Sequence, residues 1–406
     1  MSAPARPRRR AGAVAARYLA LDPERVLAPG LVQWDARGRI VSIRALRRQE
    51  ARRVEDCAVL PGLVNSHAHL QLPALPTPER RFLPWVRQVI ASRQQQSGPA
   101  MTAQAQSHLE ELVASGVTAV GEIDSTGRTR AALRRLPMAG RCYRELTGYH
   151  LCGADARSHA RACWPAEPSS MLQGLSPHAP YSVSADLFRA AAARARFLAV
   201  HCAELPEEQR FLRDGKGPFA DLLRSLGRLP AGHRPPGVGA VRHLERLGLL
   251  RPTTQLVHCQ ELERGDVARI AGSGASVAVC PGTIRYFRRE APDVPQMLRR
   301  GIPVALGTDS RASNEAMSLR RELRLAADLW PALSPRDLLR AVTTHGGRAL
   351  GGAFGAVRRG RRADLVVVAA AAAPTWEATL EAFVCGDAPV LRTVLGGATY
   401  GSSRGR

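Results

Sequence analysis

Two histidines stand one residue apart in "VNSHAHLQL", Val64 to Leu72, inside a run that is otherwise mostly apolar. Alternation along a strand sends residues i and i+2 to one face. His67 and His69 can therefore present their rings to a common point, with Ala68 turned away. They could also be two polar residues that share a face and nothing more. Their company separates the two readings. His178 follows "LQGLSP", His201 follows "FLAV" with Glu204 three residues on, His258 follows "TQLV", and Asp309 follows "PVALGT". Five of the eleven histidines thus sit at the ends of apolar runs. Imidazole and carboxylate are ligands that divalent zinc or iron accepts, and a catalytic site leaves one position open for water. His67, His69, His201 and Asp309 would supply three nitrogens and one oxygen. A lone strand-end histidine is more often a satisfied polar residue than a ligand; four such residues in register on three strands reverse that balance.

Such a site needs a frame that gathers strand ends. The apolar runs "AVLPGLVNSH", "VTAVGEI", "RCYREL", "LQGLSPH", "FLAVHC", "TQLVHC", "SVAVCP" and "PVALGTD" alternate with amphipathic stretches such as Ala185 to Ala195, Glu263 to Gly272 and Leu319 to Trp330. Eight strands, each followed by a helix, predict an α/β chain folded as a (β/α)₈ TIM barrel over residues 59–352, with its chemistry at the C-terminal ends of the strands. "RLPAGHRPPGVG", Arg228 to Gly239, reads as a loop between barrel strands five and six. Residues 15–58 and 353–406 hold short hairpin patterns, among them a turn at Ala36 to Gly38, and are expected to meet as a small β-sandwich domain. Residues 1–14 are expected to form a disordered basic arm, since the short apolar run there carries Arg17 and does not fit a signal peptide.

With 406 residues, 45% hydrophobic and 23% charged, the chain has a globular composition, and no run of eighteen apolar residues indicates a membrane span. A net charge of +23 invites a nucleic-acid reading. Outside "RPRRR" at the N-terminus and "RRGRR" at Arg358 to Arg362, however, the arginines are scattered, which disfavours a nucleic-acid partner. Eight cysteines without a CxxC pair read as reduced thiols of a cytoplasmic protein, with Cys202, Cys259 and Cys280 as small core residues.

"PGLVNSHAHL", "LSPHAPYSVS", "HCAELPEE", "VHC" and "LGTDS" together resemble the amidohydrolase superfamily, in the mononuclear branch that holds cytosine, S-adenosylhomocysteine and aminodeoxyfutalosine deaminases and the triazine hydrolases. The resemblance runs from about Leu60 to Gly351. It implies one divalent metal, Zn or Fe, on His67, His69, His201 and Asp309. The two-metal branch bridges its ions with a carboxylated lysine from strand four, and the sole lysine here, Lys216, lies beyond strand five in "RDGKGPF". It also implies hydrolytic deamination of an amidine-type carbon in an aminated purine-like ring. Glu204 would carry the proton from water to ring nitrogen, and His258 and Asp309 would polarise the water. Glu204 could instead be a helix-start carboxylate before Pro206.

For the substrate end, the resemblance suggests His178, although a histidine just before Pro180 could simply cap a strand. Trp85, in "RFLPWVRQVIASR", falls where such enzymes often place an aromatic, with core packing an equal reading. Of Arg144 and Glu145 in "CYREL", one should point inward and the other form a surface ion pair. Ser310 follows the metal aspartate. The finer wording is nearest the aminodeoxyfutalosine deaminases of the menaquinone pathway, with two departures. Gln71 stands where that group usually has Glu, and "CPGTIRYFRRE" replaces a "CPRSN"-like stretch; both should face the substrate. A small-molecule substrate is the expected partner, and barrels of this kind commonly pair as homodimers. Two other readings stand beside deamination: hydrolysis of a different C–N or C–Cl bond, as in triazine or cytosine and guanine chemistry, and a non-catalytic basic binding protein.

Overall fold

The computed structural model describes residues 10–47, 49–50, 54–164, 171–370 and 375–401. Five strands precede the barrel: β1 (Gly12–Asp22), β2 (Arg25–Leu27), β3 (Gly30–Trp34), β4 (Ile40–Ala45) and β5 (Glu55–Pro61). The barrel follows, with β6 (Leu63–Ala68), β7 (Val117–Asp124), β8 (Ala139–Leu146), β9 (Leu172–Pro177), β10 (Leu198–Cys202), β11 (Thr254–His258), β12 (Ser276–Val279) and β13 (Val304–Leu306). After it come β14 (Asp364–Ala369), β15 (Val390–Leu395) and β16 (Ala398–Gly401).

Strands β6 to β13 pair in sequence order, each with the next, and every one of these pairs is parallel. Parallel strands covered on both faces read as nearly continuous apolar runs, and β6, β7, β10, β11 and β12 are buried at every position. Closure is made between the first strand and the last: Ala68 bridges Asp309, the Asp309 N–H donates to the His67 carbonyl at 3.1 Å, and the His69 N–H donates to the Asp309 carbonyl at 3.3 Å. Side chains reinforce this seam. Asn65 donates to the Thr308 hydroxyl at 2.8 Å and accepts the Thr308 N–H at 3.1 Å, while Ser66 donates to the Leu306 carbonyl at 2.7 Å. Gly307 sits against β6 so closely that a Cβ there would lie 2.7 Å from the His67 carbonyl oxygen.

The flanks join in one eight-stranded mixed sheet, ordered β16-β15-β14-β5-β1-β3-β4 with β2 on β1. Alternation, shifted by a bulge between Ala16 and Tyr18, divides its side chains. Val14, Ala16, Val32, Trp34, Val59, Leu365 and Val367 form a core on one face, while Tyr18, Ala20, Ala58, Leu60, Val366 and Val368 on the other join the main barrel core. The turn expected at Ala36 to Gly38 joins β3 to β4, with Gly38 at φ 74°.

Two expectations need correction. "AVLPGLVNSH" is not one strand: residues 55–61 pair with β1 and β14 in the flank sheet, and the barrel strand begins only at Leu63, after Gly62. Where the chain changes sheets, Gly62 leaves no room for a Cβ, which would lie 2.2 Å from the Thr118 hydroxyl. The N-terminal arm also ends sooner than residue 14, because Gly12–Val14 already belong to β1 and pair with β3; residues 1–9 lie outside the described residues. No helix among the described residues is long and apolar enough to cross a membrane, and all eight cysteines are free thiols, Cys202, Cys259 and Cys280 buried.

Candidate active site

The strand ends bring His67, His69, His201, His258, Asp309 and Glu204 to one mouth of the barrel. Nε2 of His69 and Nε2 of His201 are 3.3 Å apart. Two nitrogens bound at 2.0–2.1 Å in a tetrahedral site would be separated by about 3.3 Å, so this spacing suits a shared cation. Donor atoms of His67, His69 and His201 all lie within 4.8 Å of one another, and Asp309 Oδ1 is 3.7 Å from His67 Nε2 and 3.6 Å from His69 Nε2. Both ring nitrogens of His67 are buried without a hydrogen-bond partner in the structure. An orphaned buried polar atom costs about 1–3 kcal/mol, a cost that a bound ion at Nε2 would remove. Burial holds His67 down to about 4 and lowers His69 and His258 as well. At neutral pH these imidazoles therefore offer uncharged lone pairs, the form a metal requires.

Neighbouring groups aim the donors. His201 Nδ1 lies 2.9 Å from the His178 carbonyl, which leaves Nε2 for the ion. Asp309 Oδ2 accepts the hydroxyls of Thr283 at 2.9 Å and Ser313 at 3.0 Å, which turns Oδ1 toward His67 and His69. The backbone is strained here too. Ala203, His258, Cys259 and Asp309 adopt φ of 51°, 76°, 51° and 55°, in a left-handed region where non-glycine residues cost about 1–3 kcal/mol each. Among the described non-glycine residues only Arg288 shares that region.

Glu204 faces His258 across the mouth, with Oε2 3.8 Å from Nε2. Its Oε1 accepts a hydrogen bond from Arg289 Nη1 at 2.7 Å, and its backbone N–H donates to Glu208 Oε2 at 2.9 Å. Burial pushes the Glu204 carboxyl up, yet positive charge on His258 and Arg289 outweighs it and leaves the group lowered. Burial lowers His258 in turn. Glu208 has no such partner, and burial raises it to about 8.

The expected substrate-side residues fall into different surroundings. His178 lies beside His201, ring centres 4.7 Å apart, with Nδ1 2.7 Å from the Ser182 hydroxyl. Glu145 shares its strand face with Tyr143, whose ring packs with Val64, Ala119 and Ala199, and burial raises its carboxyl. Arg144 does not form a surface ion pair: it donates to the Asp124 carbonyl at 2.8 Å and lies 3.9 Å from the Asp124 carboxylate, which is buried. Gln71 lies beyond the strand: β6 ends at Ala68, and residues 69–72 form a turn closed from the Leu72 N–H to the His69 carbonyl. Its amide binds Asp124 and Thr126, so its polar atoms serve the end of β7. Trp85 donates to the Ala312 carbonyl at 2.7 Å and packs on Phe82 and Phe287. The Ser310 hydroxyl lies 3.0 Å from that of Ser313, one step from Asp309.

Sequence reasoning missed Thr283, Ser313, Glu208 and Arg289. Thr283 and Arg289 both lie in "CPGTIRYFRRE", the stretch whose departure from the resembled group was the available signal.

The amidohydrolase family model matches residues 58–399. An aminodeoxyfutalosine deaminase from Deinococcus radiodurans is 33% identical over 338 residues, 78% of this chain and 79% of that protein. A Helicobacter pylori aminofutalosine deaminase, solved in complex with methylthio-coformycin, superposes with a TM-score of 0.80 at 22% identity, covering 96% of this chain and 99% of that one. An adenosine deaminase from Xanthomonas campestris solved with bound zinc gives 0.77 at 24%, covering 95% and 92%.

Proposed function

The chain belongs to the amidohydrolase family, and from that membership we propose that it is a hydrolytic deaminase of a purine nucleoside, with aminodeoxyfutalosine as substrate and one divalent ion as cofactor. The observation that carries the reading is the convergence of His67, His69, His201 and Asp309 on one point with Glu204 and His258 beside it. The substrate assignment rests on the Deinococcus relative. It brings with it a place in menaquinone synthesis and a cytoplasmic location, which the eight free thiols suit. A homodimer belongs to the same proposal and is read by light scattering.

His67, His69, His201 and Asp309 would hold the ion, zinc in the first instance given the zinc-bound Xanthomonas neighbour. When bound, such an ion acts as a Lewis acid that lowers the pKa of water to about 7. The protein's own groups then manage protons and orientation. Glu204 takes the proton that the attacking water gives up and delivers it to the adjacent ring nitrogen. A new C–O bond forms at the amino-bearing carbon, the C–N bond breaks, and the amino group departs as ammonia with the second water proton. His258 polarises the water. Thr283 and Ser313 keep Asp309 from turning.

Ammonia release from a panel of aminodeoxyfutalosine, adenosine, S-adenosylhomocysteine, cytosine and guanine tests the reading. Glu204→Gln should abolish turnover with metal content near one per chain. Release of chloride or amine from triazines, with no ammonia from any nucleoside, would replace deamination by the second hydrolytic chemistry.

A further inference from the structure

We infer that Arg289 is a positioning residue for this reaction, fixing which oxygen of Glu204 carries the proton; the inference rests on the deaminase reading above. Arg289 follows the helix Pro281–Phe287, where Arg288 at φ 55° reverses the chain and the Arg289 N–H closes the turn on the Ile284 carbonyl at 3.0 Å. That reversal brings the guanidinium back over the barrel mouth. Its carbon lies 4.3 Å from the Phe287 ring centre and 5.1 Å from that of Phe82. Nη1 donates to Glu204 Oε1 at 2.7 Å and lies 3.5 Å from Gln260 Oε1. Nη2 is buried without a hydrogen-bond partner in the structure.

A carboxylate that ferries a proton must meet a donor and an acceptor in turn, and free rotation about its last bond would exchange its two oxygens. Arg289 removes that freedom. A charge-assisted bond screened from water by two aromatic faces is short and directional, and it occupies Oε1. Oε2, 3.8 Å from His258 Nε2, is then the oxygen left to face the reacting atoms. Glu208 fixes the same residue from behind by accepting its backbone N–H. Lysine could supply the charge at this position but not a flat group that stacks on Phe287 while reaching Oε1.

The test compares metal-loaded wild type with Arg289→Met and Arg289→Lys, and includes the double variant Arg289→Met/Glu204→Gln. Misplacing a catalytic group by about 1 Å can cost about 10²-fold. We expect kcat to fall by about that factor in Arg289→Met with little change in KM, and to return in part in Arg289→Lys. Melting temperature supplies a readout independent of turnover: Arg289→Met should lower it by leaving the buried Glu204 carboxylate without its guanidinium partner, and adding Glu204→Gln should restore it. A raised KM with kcat retained would make Arg289 a substrate contact, and a melting penalty unchanged by Glu204→Gln would remove the coupling; either overturns the inference. If Arg289→Met fails to fold, Arg289→Lys carries the same comparison. Absence of ammonia release by wild type would defeat the deaminase reading, while the melting cycle would still decide whether Arg289 holds Glu204.

Discussion

Glu208 makes a measurable liability of the helix Pro206–Asp214. Its side chain is fully buried, Oε2 accepts the Glu204 N–H, and Oε1 has no partner in the structure. Burial raises its carboxyl to about 8 from an ordinary value of 4.5. A group whose folded pKa is raised contributes stability that is intact below its unfolded pKa and lost as pH rises toward the folded one. The affected window therefore runs from about pH 4.5 to about pH 8. With one pKa unit equal to about 1.4 kcal/mol, the cost of the buried carboxylate is about 1 kcal/mol at pH 5 and about 3 kcal/mol at pH 7. Gln keeps an acceptor for the Glu204 N–H and cannot ionise. A 406-residue chain has an unfolding entropy of about 0.9 kcal/mol/K, at about 2.1 cal/mol/K per residue. Glu208→Gln should thus melt about 1 °C above wild type at pH 5 and about 4 °C above it at pH 7. Differential scanning calorimetry of metal-loaded protein at several pH values reads this directly. Parallel curves for the two proteins from pH 5 to pH 8 would refute the assignment of a raised carboxyl to Glu208.

Ser313→Ala removes one of the two hydroxyls on Asp309 Oδ2 and should weaken metal affinity or kcat by about 10-fold, the lower end for outer-shell partners; a metal titration identical to wild type would show that Thr283 suffices. Gly307→Ala places a Cβ 2.7 Å from the His67 carbonyl and 2.8 Å from its Cβ, so metal content and melting temperature should both fall. Gly272→Ala is the control: nothing lies within 4 Å of its Cβ, and within the helix Asp266–Ser273 it should stabilise the fold by up to about 1 kcal/mol. Chelation should abolish turnover and lower the melting temperature, with zinc restoring both, because the ion binds a site that the unfolded chain does not hold. Equal melting temperatures with and without chelator would argue against a bound ion.

The barrel was legible because its strands announce themselves locally as mostly apolar runs, and the metal-site candidates sat at the polar ends of three of them. The change of sheet at Gly62 was not, since β5 from Cys57 onward and all of β6 are covered and read as one run; the pairing of residues 57–61 with β14, some 300 positions on, and of β5 with β1 separates them. Arg144 was misread for a related reason. Its partner Asp124 lies on the neighbouring strand in register with it, a relation that no window of sequence contains. Gln71 was expected to face the substrate on the resemblance alone, and no local pattern shows that β6 stops at Ala68 or that its amide meets Asp124 and Thr126. Arg289 meets Glu204 across 85 residues, and only the unusual wording around it marked the stretch.

The seam between β6 and β13 also orders events in time. His67 and His69 are made early, but the strand that closes against them, and the aspartate that completes their donor set, come some 240 residues later. A chain emerging from the ribosome therefore carries its histidines through the synthesis of seven further strands before the site can exist. This is long-range contact of the kind that slows folding. A chain stopped short of Val304 would hold three nitrogen donors on an open sheet, with an unpaired edge at each end.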